Sequence, residues 1–346
     1  MTFRATGLPL IAATAALAGT TVTAQQITEC IAPAEWFPHS QTPRQNDNAD
    51  FNSNCAFHQW SWNAFLWLTQ NDDSDQPRFL SMIPSAAVVA GEQPSNDAAT
   101  VLRPRAQKTD MGGAFNEVNQ AGSLGLLVDQ NGRAVYYSMS VNDTYFDFAV
   151  TEHQLNLPEN LRNAPDTLNY PIGTLSLKAA WKIVADGEDA SGFFTIPASV
   201  QLLTTDASDN IALDPEQTED LTVALVGLHI VGIVKDHPEA IWATFEHRAN
   251  APDFPAGIGM DEPVSNDDFT FYAKGTTAGA CNQNNAGFLT LTDPTTQVLS
   301  PVTQVCRQYA FGGGDAQNVA NIASLNASVD AQLDTDSVWR NYMETG

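Results

Sequence analysis

The chain has 346 residues, with 40 Asp and Glu against 15 Lys and Arg, a formal net charge of −25, six histidines and four cysteines. A surface this acidic repels nucleic acid and anionic lipid, so neither is expected as a partner. The same charge suits solubility in a saline setting and by itself names no cationic substrate.

The N-terminus, MTFRATGLPLIAATAALAGTTVTAQQ, sets Arg4 ahead of an apolar run that ends in small residues, the pattern of an export signal cut after Ala24. No later run is long and apolar enough to span a bilayer, so no transmembrane segment is expected. The reading is a signal over 1–24 and one large β-rich domain over 25–346, periplasmic or secreted. The cysteines form two local pairs, Cys30 with Cys55 and Cys281 with Cys306, and in an exported chain that pairing is the expected one of the three connectivities. None lies in CxxC or CxxCH, which excludes a covalent c-type haem and a thioredoxin-like redox pair.

In chain order, an irregular polar stretch over 25–54 leads into FHQWSWNAFLWLTQ, where Trp62, Phe65, Leu66 and Thr69 follow helical spacing. This predicts a mostly buried helix, ended by the acidic run Asn71 to Asp75. Residues 84–122 are small and polar without period and read as a long surface excursion. Strand signals follow at Ser123–Asp129, Ala134–Val141, Gly173–Val184, Phe193–Leu203, the 221–247 hairpin and Phe269–Lys274. From Leu175 to Ile183 the alternation is clean, with Leu175, Leu177, Ala179, Trp181 and Ile183 on a core face and Ser176, Lys178, Ala180 and Lys182 on a wet or site-lining one. Helix formers return over 317–343. The fold class expected is α+β, a β-rich antiparallel sandwich or partly closed barrel with helices near both ends.

Chemistry concentrates in LTVALVGLHIVGIVKDHPEAIWATFEHR, Leu221 to Arg248. Thr222 to Val234 reads as a strand covered on both faces, Lys235 to Glu239 as a turn, and Ala240 to His247 as the return strand. A turn centred on His237 sets His229 opposite Phe245, with His247 diagonal to His229 on the same face, near enough for both to hold one ligand. A slip of one residue would separate them. His58, at the head of the tryptophan-rich helix, is the third candidate nitrogen for a transition metal or non-covalently held haem. A buried histidine bonded to a backbone carbonyl is the commoner fate of such a residue. Trp62, Lys178, Trp181 and Trp242 are the candidate ligand-binding residues, since aromatic faces pack on rings and suit an apolar or carbohydrate pocket. GxSxG, SxxK and GxGxxG are absent, which leaves acyl transfer and dinucleotide binding without a motif. The acidic loops lack the closing glutamate of a twelve-residue calcium loop.

Three blocks, CAFHQWSWNAFLWLT, DQNGRAVYYSMSVN with GTLSLKAAWKI, and LVGLHIVGIV with HPEAIWATFEH, together resemble a broad group of exported bacterial proteins, some of them named cytochrome c family proteins. The resemblance covers most of residues 55–250. It implies that the tryptophan helix, the Lys178–Trp181 strand and the His229–His247 hairpin share one scaffold, but it supplies no catalytic residues. The expected function is that of an exported, disulfide-bonded binding or accessory protein with a small-molecule or protein partner. The alternative is a metal- or haem-assisted oxidoreductase.

Overall fold

The computed structural model describes residues 29–93, the backbone of 101–104, 126–283 and 288–346. The expected export signal over 1–24 and much of the expected 84–122 excursion lie outside the described residues. The rest is α+β, helices with a mostly antiparallel sheet that is not closed into a barrel.

The first long helix, α1 (Asn54–Thr69), starts where the Ser53 hydroxyl accepts from the Ala56 N–H. It is buried on nearly every side, as its apolar circumference requires: Trp60, Trp62, Phe65, Leu66 and Leu68 are all core residues. The Cys30–Cys55 disulfide ties the N-terminal segment to its first turn. After α1 come the short strand β1 (Ile83–Pro84), helix α2 (Ser85–Ala90) and strand β2 (Val101–Pro104). Strand β3 (Tyr136–Val141) is followed by α3 (Asp143–Phe146), a π-helical turn over Asp147–Glu152 and α4 (Pro158–Asn163). Four longer elements then build the sheet: β4 (Leu175–Ile183), β5 (Thr195–Thr205), β6 (Ile211–Val234) and β7 (His237–His247). A small hairpin, β8 (Thr290–Asp293) with β9 (Val298–Ser300), precedes α5 (Ala316–Gln332) and the terminal strand β10 (Tyr342–Glu344).

Strand β6 is the spine. Along one edge it pairs with β5 through its first half and β7 through its second, and along the other with β4, all antiparallel. Strand β3 continues outward from β4, β10 outward from β7, and β2 pairs parallel to β5. A bulge is built into β6: Ala180 faces Gly227 and Trp181 faces Leu225, so Val226 is an extra residue. Without it, Val223 and Leu225 would point away from Leu228 and Ile230. With it, all four join one core with Leu175, Leu177, Ala179, Trp181 and Ile183, the face that alternation predicted.

That face is covered by α1 and α5. Phe65 stacks on Phe245 with centroids 4.2 Å apart, and Trp62 meets Phe245 edge-on at 4.9 Å. Asn326 of α5 joins helix to sheet, accepting from Trp62 Nε1 and the Glu344 N–H and donating to the Glu344 carbonyl. On the opposite face, Phe271 packs with Val135, Tyr137 and Val226. The Cys281–Cys306 disulfide closes the segment that carries the β8–β9 hairpin.

Both disulfides follow the local pairing, and Ala316–Gln332 supplies the helix expected near the C-terminus. Three strand assignments differ. Of Ser123–Asp129, the described residues 126–129 carry one isolated bridge, from Val128 to Ala134, and no strand. Phe269–Lys274 is irregular, with one isolated bridge between Phe269 and Tyr272. Strand β6 begins at Ile211 rather than at Leu221, because its acidic first half is the exposed arm of a hairpin with β5.

Candidate functional site

The sites of the three candidate metal-binding histidines are set by local geometry. In the β6–β7 pair, His229 lies opposite Thr244, not Phe245. The turn is the tight Lys235-Asp236 pair, and a bulge between Gly232 and Val234 shifts the register on the way to it. His229 therefore shares a face with Thr244, while His247 follows Phe245 on the other. The two histidines do not meet.

His247 has both ring nitrogens engaged. Nδ1 accepts from the Ala249 N–H at 3.1 Å, which makes Nε2 the protonated nitrogen that donates to the Gly192 carbonyl at 2.9 Å. Phe193 stacks on the ring at 3.7 Å. Burial pushes its pKa down to about 4, helped by the charges of Arg307, Lys182 and Arg248. It is a neutral, structural histidine.

His58 is equally committed. Nδ1 lies 2.8 Å from Glu344 Oε1, and Nε2 lies 2.9 Å from Asn318 Oδ1. Asn54 Nδ2 also donates to that Asn318 oxygen, which fixes it as an acceptor, so His58 Nε2 carries a proton. Burial opposes the charge on His58, but the hydrogen bond and charge of Glu344 win and raise its pKa. Glu344 is itself fully buried, and burial raises its pKa against the pull of His58. Glu246, which precedes His247 in β7, pairs with Arg307 at 3.1 Å. Among the described residues no group of three or more His, Cys, Asp or Glu could hold a metal ion.

The candidate ligand-binding residues divide between the two faces. Trp62 and Trp181 are core: each is 1 % exposed, with indole N–H groups bonded to Asn326 and to the Ser138 hydroxyl. Lys178 and Trp242 lie on the outer face, and the sheet brings them to one corner. Across it runs the register row Met139, Lys178, His229, Thr244. The next outward step along β7 is Trp242, opposite Val231, and it is 68 % exposed.

In this row His229 Nδ1 lies 3.0 Å from Thr244 Oγ1. Lys178 holds its ammonium over the Tyr137 ring, 4.5 Å from the centroid. Burial lowers the His229 pKa and the adjacent Lys178 charge lowers it further, so the imidazole is neutral at pH 7. The corner thus offers an aromatic face, a hydroxyl and a neutral imidazole, with the Lys178 ammonium buried behind them against Tyr137. Lys178 to Thr244 spans two inter-strand spacings, about 10 Å, the length of a small molecule.

Sequence reasoning missed Thr244 and Tyr137, since their roles follow from a register that the turn residues left ambiguous. It also missed the convergence of Arg248, Arg307 and Arg340, which are far apart in the chain. No family model matches this chain, and no curated protein or solved structure shows significant similarity to it.

Proposed function

We propose that the chain is an exported binding or accessory protein that takes a small, ring-bearing anionic ligand at the outer corner formed by Trp242, Thr244, His229 and Lys178. The observation that carries this reading is Trp242, a large aromatic residue left 68 % exposed on a regular strand beside that polar row. An exposed indole offers a stacking face, and neighbouring hydrogen-bonding groups and a lysine fix the orientation and charge of what stacks on it. The two disulfides support an oxidising compartment. The likeness of three sequence blocks to exported proteins points the same way. A metal- or haem-assisted oxidoreductase is the weaker reading, because His58, His229 and His247 lie apart and His58 and His247 use both ring nitrogens elsewhere.

The test is a fluorescence titration with 1-anilinonaphthalene-8-sulfonate, an aromatic anion, of the wild type and of Trp242→Ala. Saturable binding that weakens at least about tenfold in the variant, with unchanged circular dichroism, supports the corner as the site. Equal binding by both proteins overturns it.

A further inference from the structure

A second site lies at the far end of β7, away from the Trp242 corner. There the loop before β5, the residue after His247 and the turn between α5 and β10 enclose an open cleft of about 400 Å³. Its walls carry Ser191, Arg248, Asp330, Asp336, Arg340 and Asn341, and Val338 is the one apolar side chain among its lining residues. Such walls suit a ligand that is itself polar over most of its surface.

Arg248 gives the cleft its charge preference. Two of the chain's 15 cationic residues, Arg248 and Arg340, line it, and Arg307 lies beside them, bonded to the Arg248 carbonyl, in a molecule of net charge −25. Arg307 is met by Glu246 and Asp253, and Arg340 by Asp330. Arg248 is held by its edge: Nε donates to the Arg340 carbonyl at 3.2 Å and Nη1 to Met343 Sδ at 3.6 Å. Among the described residues it forms no ion pair. Its planar fork, anchored from behind, is suited to a carboxylate. Burial holds its pKa below the ordinary arginine value against the pull of Asp330, and the like charges of Arg307 and Arg340 add to the shift.

We propose that this cleft binds a small hydroxylated carboxylate, with the acid group on Arg248 and its hydroxyls shared among Ser191, Asn341 and Asp336. The acceptors decide between this and a bare anion. Asp336 is exposed and would repel inorganic phosphate, but it accepts readily from a hydroxyl. The Asn341 amide donates to the Gly192 carbonyl at 2.7 Å, which turns its own oxygen toward acceptor duty.

The probe is gluconate, titrated calorimetrically at low ionic strength against sorbitol, acetate and inorganic phosphate. Gluconate is expected to bind at least about tenfold more tightly than the other three, and Arg248→Gln to weaken it at least about tenfold. Because Arg248 also bonds the backbone, Asp336→Ala provides a variant at an exposed position. It is expected to narrow the preference for gluconate over acetate. The proposal is overturned if gluconate gives no saturable heat, if phosphate binds as tightly, or if folded Arg248→Gln binds as well as the wild type. An unaltered gluconate-to-acetate ratio in Asp336→Ala overturns it equally.

Discussion

His229 Nδ1 lies 3.0 Å from Thr244 Oγ1 across the β6–β7 pair, in the register that sends His229 and His247 to opposite faces of the sheet. The two side chains point to opposite faces, so their contributions should be independent. Alanine substitutions of each, singly and together, are expected to give unfolding free energies additive within about 0.5 kcal/mol. Metal content per chain, measured by elemental analysis, should be the same in all four proteins. A coupling above about 1 kcal/mol, or metal lost in both single variants, would restore a shared site.

The neutral state of His247 makes stability depend on pH in a defined window. Its pKa is about 4 when folded against 6.5 in the unfolded chain, so between these values the folded state binds fewer protons. The contribution is fully present above pH 6.5 and is lost as pH falls toward 4. A shift of this size in a residue 4 % exposed corresponds to about 3 kcal/mol. Urea midpoints from pH 4 to pH 7 should fall more steeply on acidification in the wild type than in His247→Gln. Parallel curves would show that the proton is taken up elsewhere.

What could be read in advance was whatever a period of two or 3.6 carries. The buried circumference of α1 and the core face of Leu175 to Ile183 appear as written, while Lys182, read onto the wet face, is buried because Glu188 of the following loop folds over it as its ion-pair partner. The outer face was legible in part: Lys178 and Trp242 were placed on it by parity. What failed was register. The bulge at Val226 and the slip between Gly232 and Val234 have no local sign in a run of Val, Gly, Ile and Leu, yet each shift decides a face. Contacts made by residues distant in the chain were equally silent. Nothing near His58 announces Glu344, and nothing near Arg248 announces Arg340.

The His58–Glu344 pair predicts the opposite pH trend to His247. The folded-state pKa of His58 is raised, so its contribution is fully present below the unfolded value of 6.5 and is lost as pH rises through the raised value, whereas that of Glu344, also raised, begins to be lost above its own unfolded value of 4.5. Glu344→Gln removes the carboxylate that raises His58, and the alkaline decline in stability should flatten. His58→Ala leaves a carboxylate with no counter-charge at a fully buried position and is expected to cost about 3 kcal/mol at pH 7. Denaturant unfolding at pH 6 and pH 9 measures both. A decline that persists unaltered in Glu344→Gln would assign the alkaline trend to another group.

At Gly232 the sheet lies in close contact with the tryptophan helix. A Cβ there would lie 2.4 Å and 2.5 Å from Cζ2 and Cη2 of Trp60. The indole has little room to retreat, since its Nε1 donates to Asp47 Oδ1 at 2.8 Å and the residue is 4 % exposed. Gly232→Ala is therefore expected to destabilise by about 2 kcal/mol through overpacking. Trp60→Phe destabilises for a different reason, because it loses that hydrogen bond and leaves a gap against β6. The gap is the space the added methyl needs. The double variant should be more stable than the sum of the two losses predicts, by at least about 1 kcal/mol in a double-mutant cycle. Strict additivity would mean that the strand, rather than the indole, yields to the methyl group.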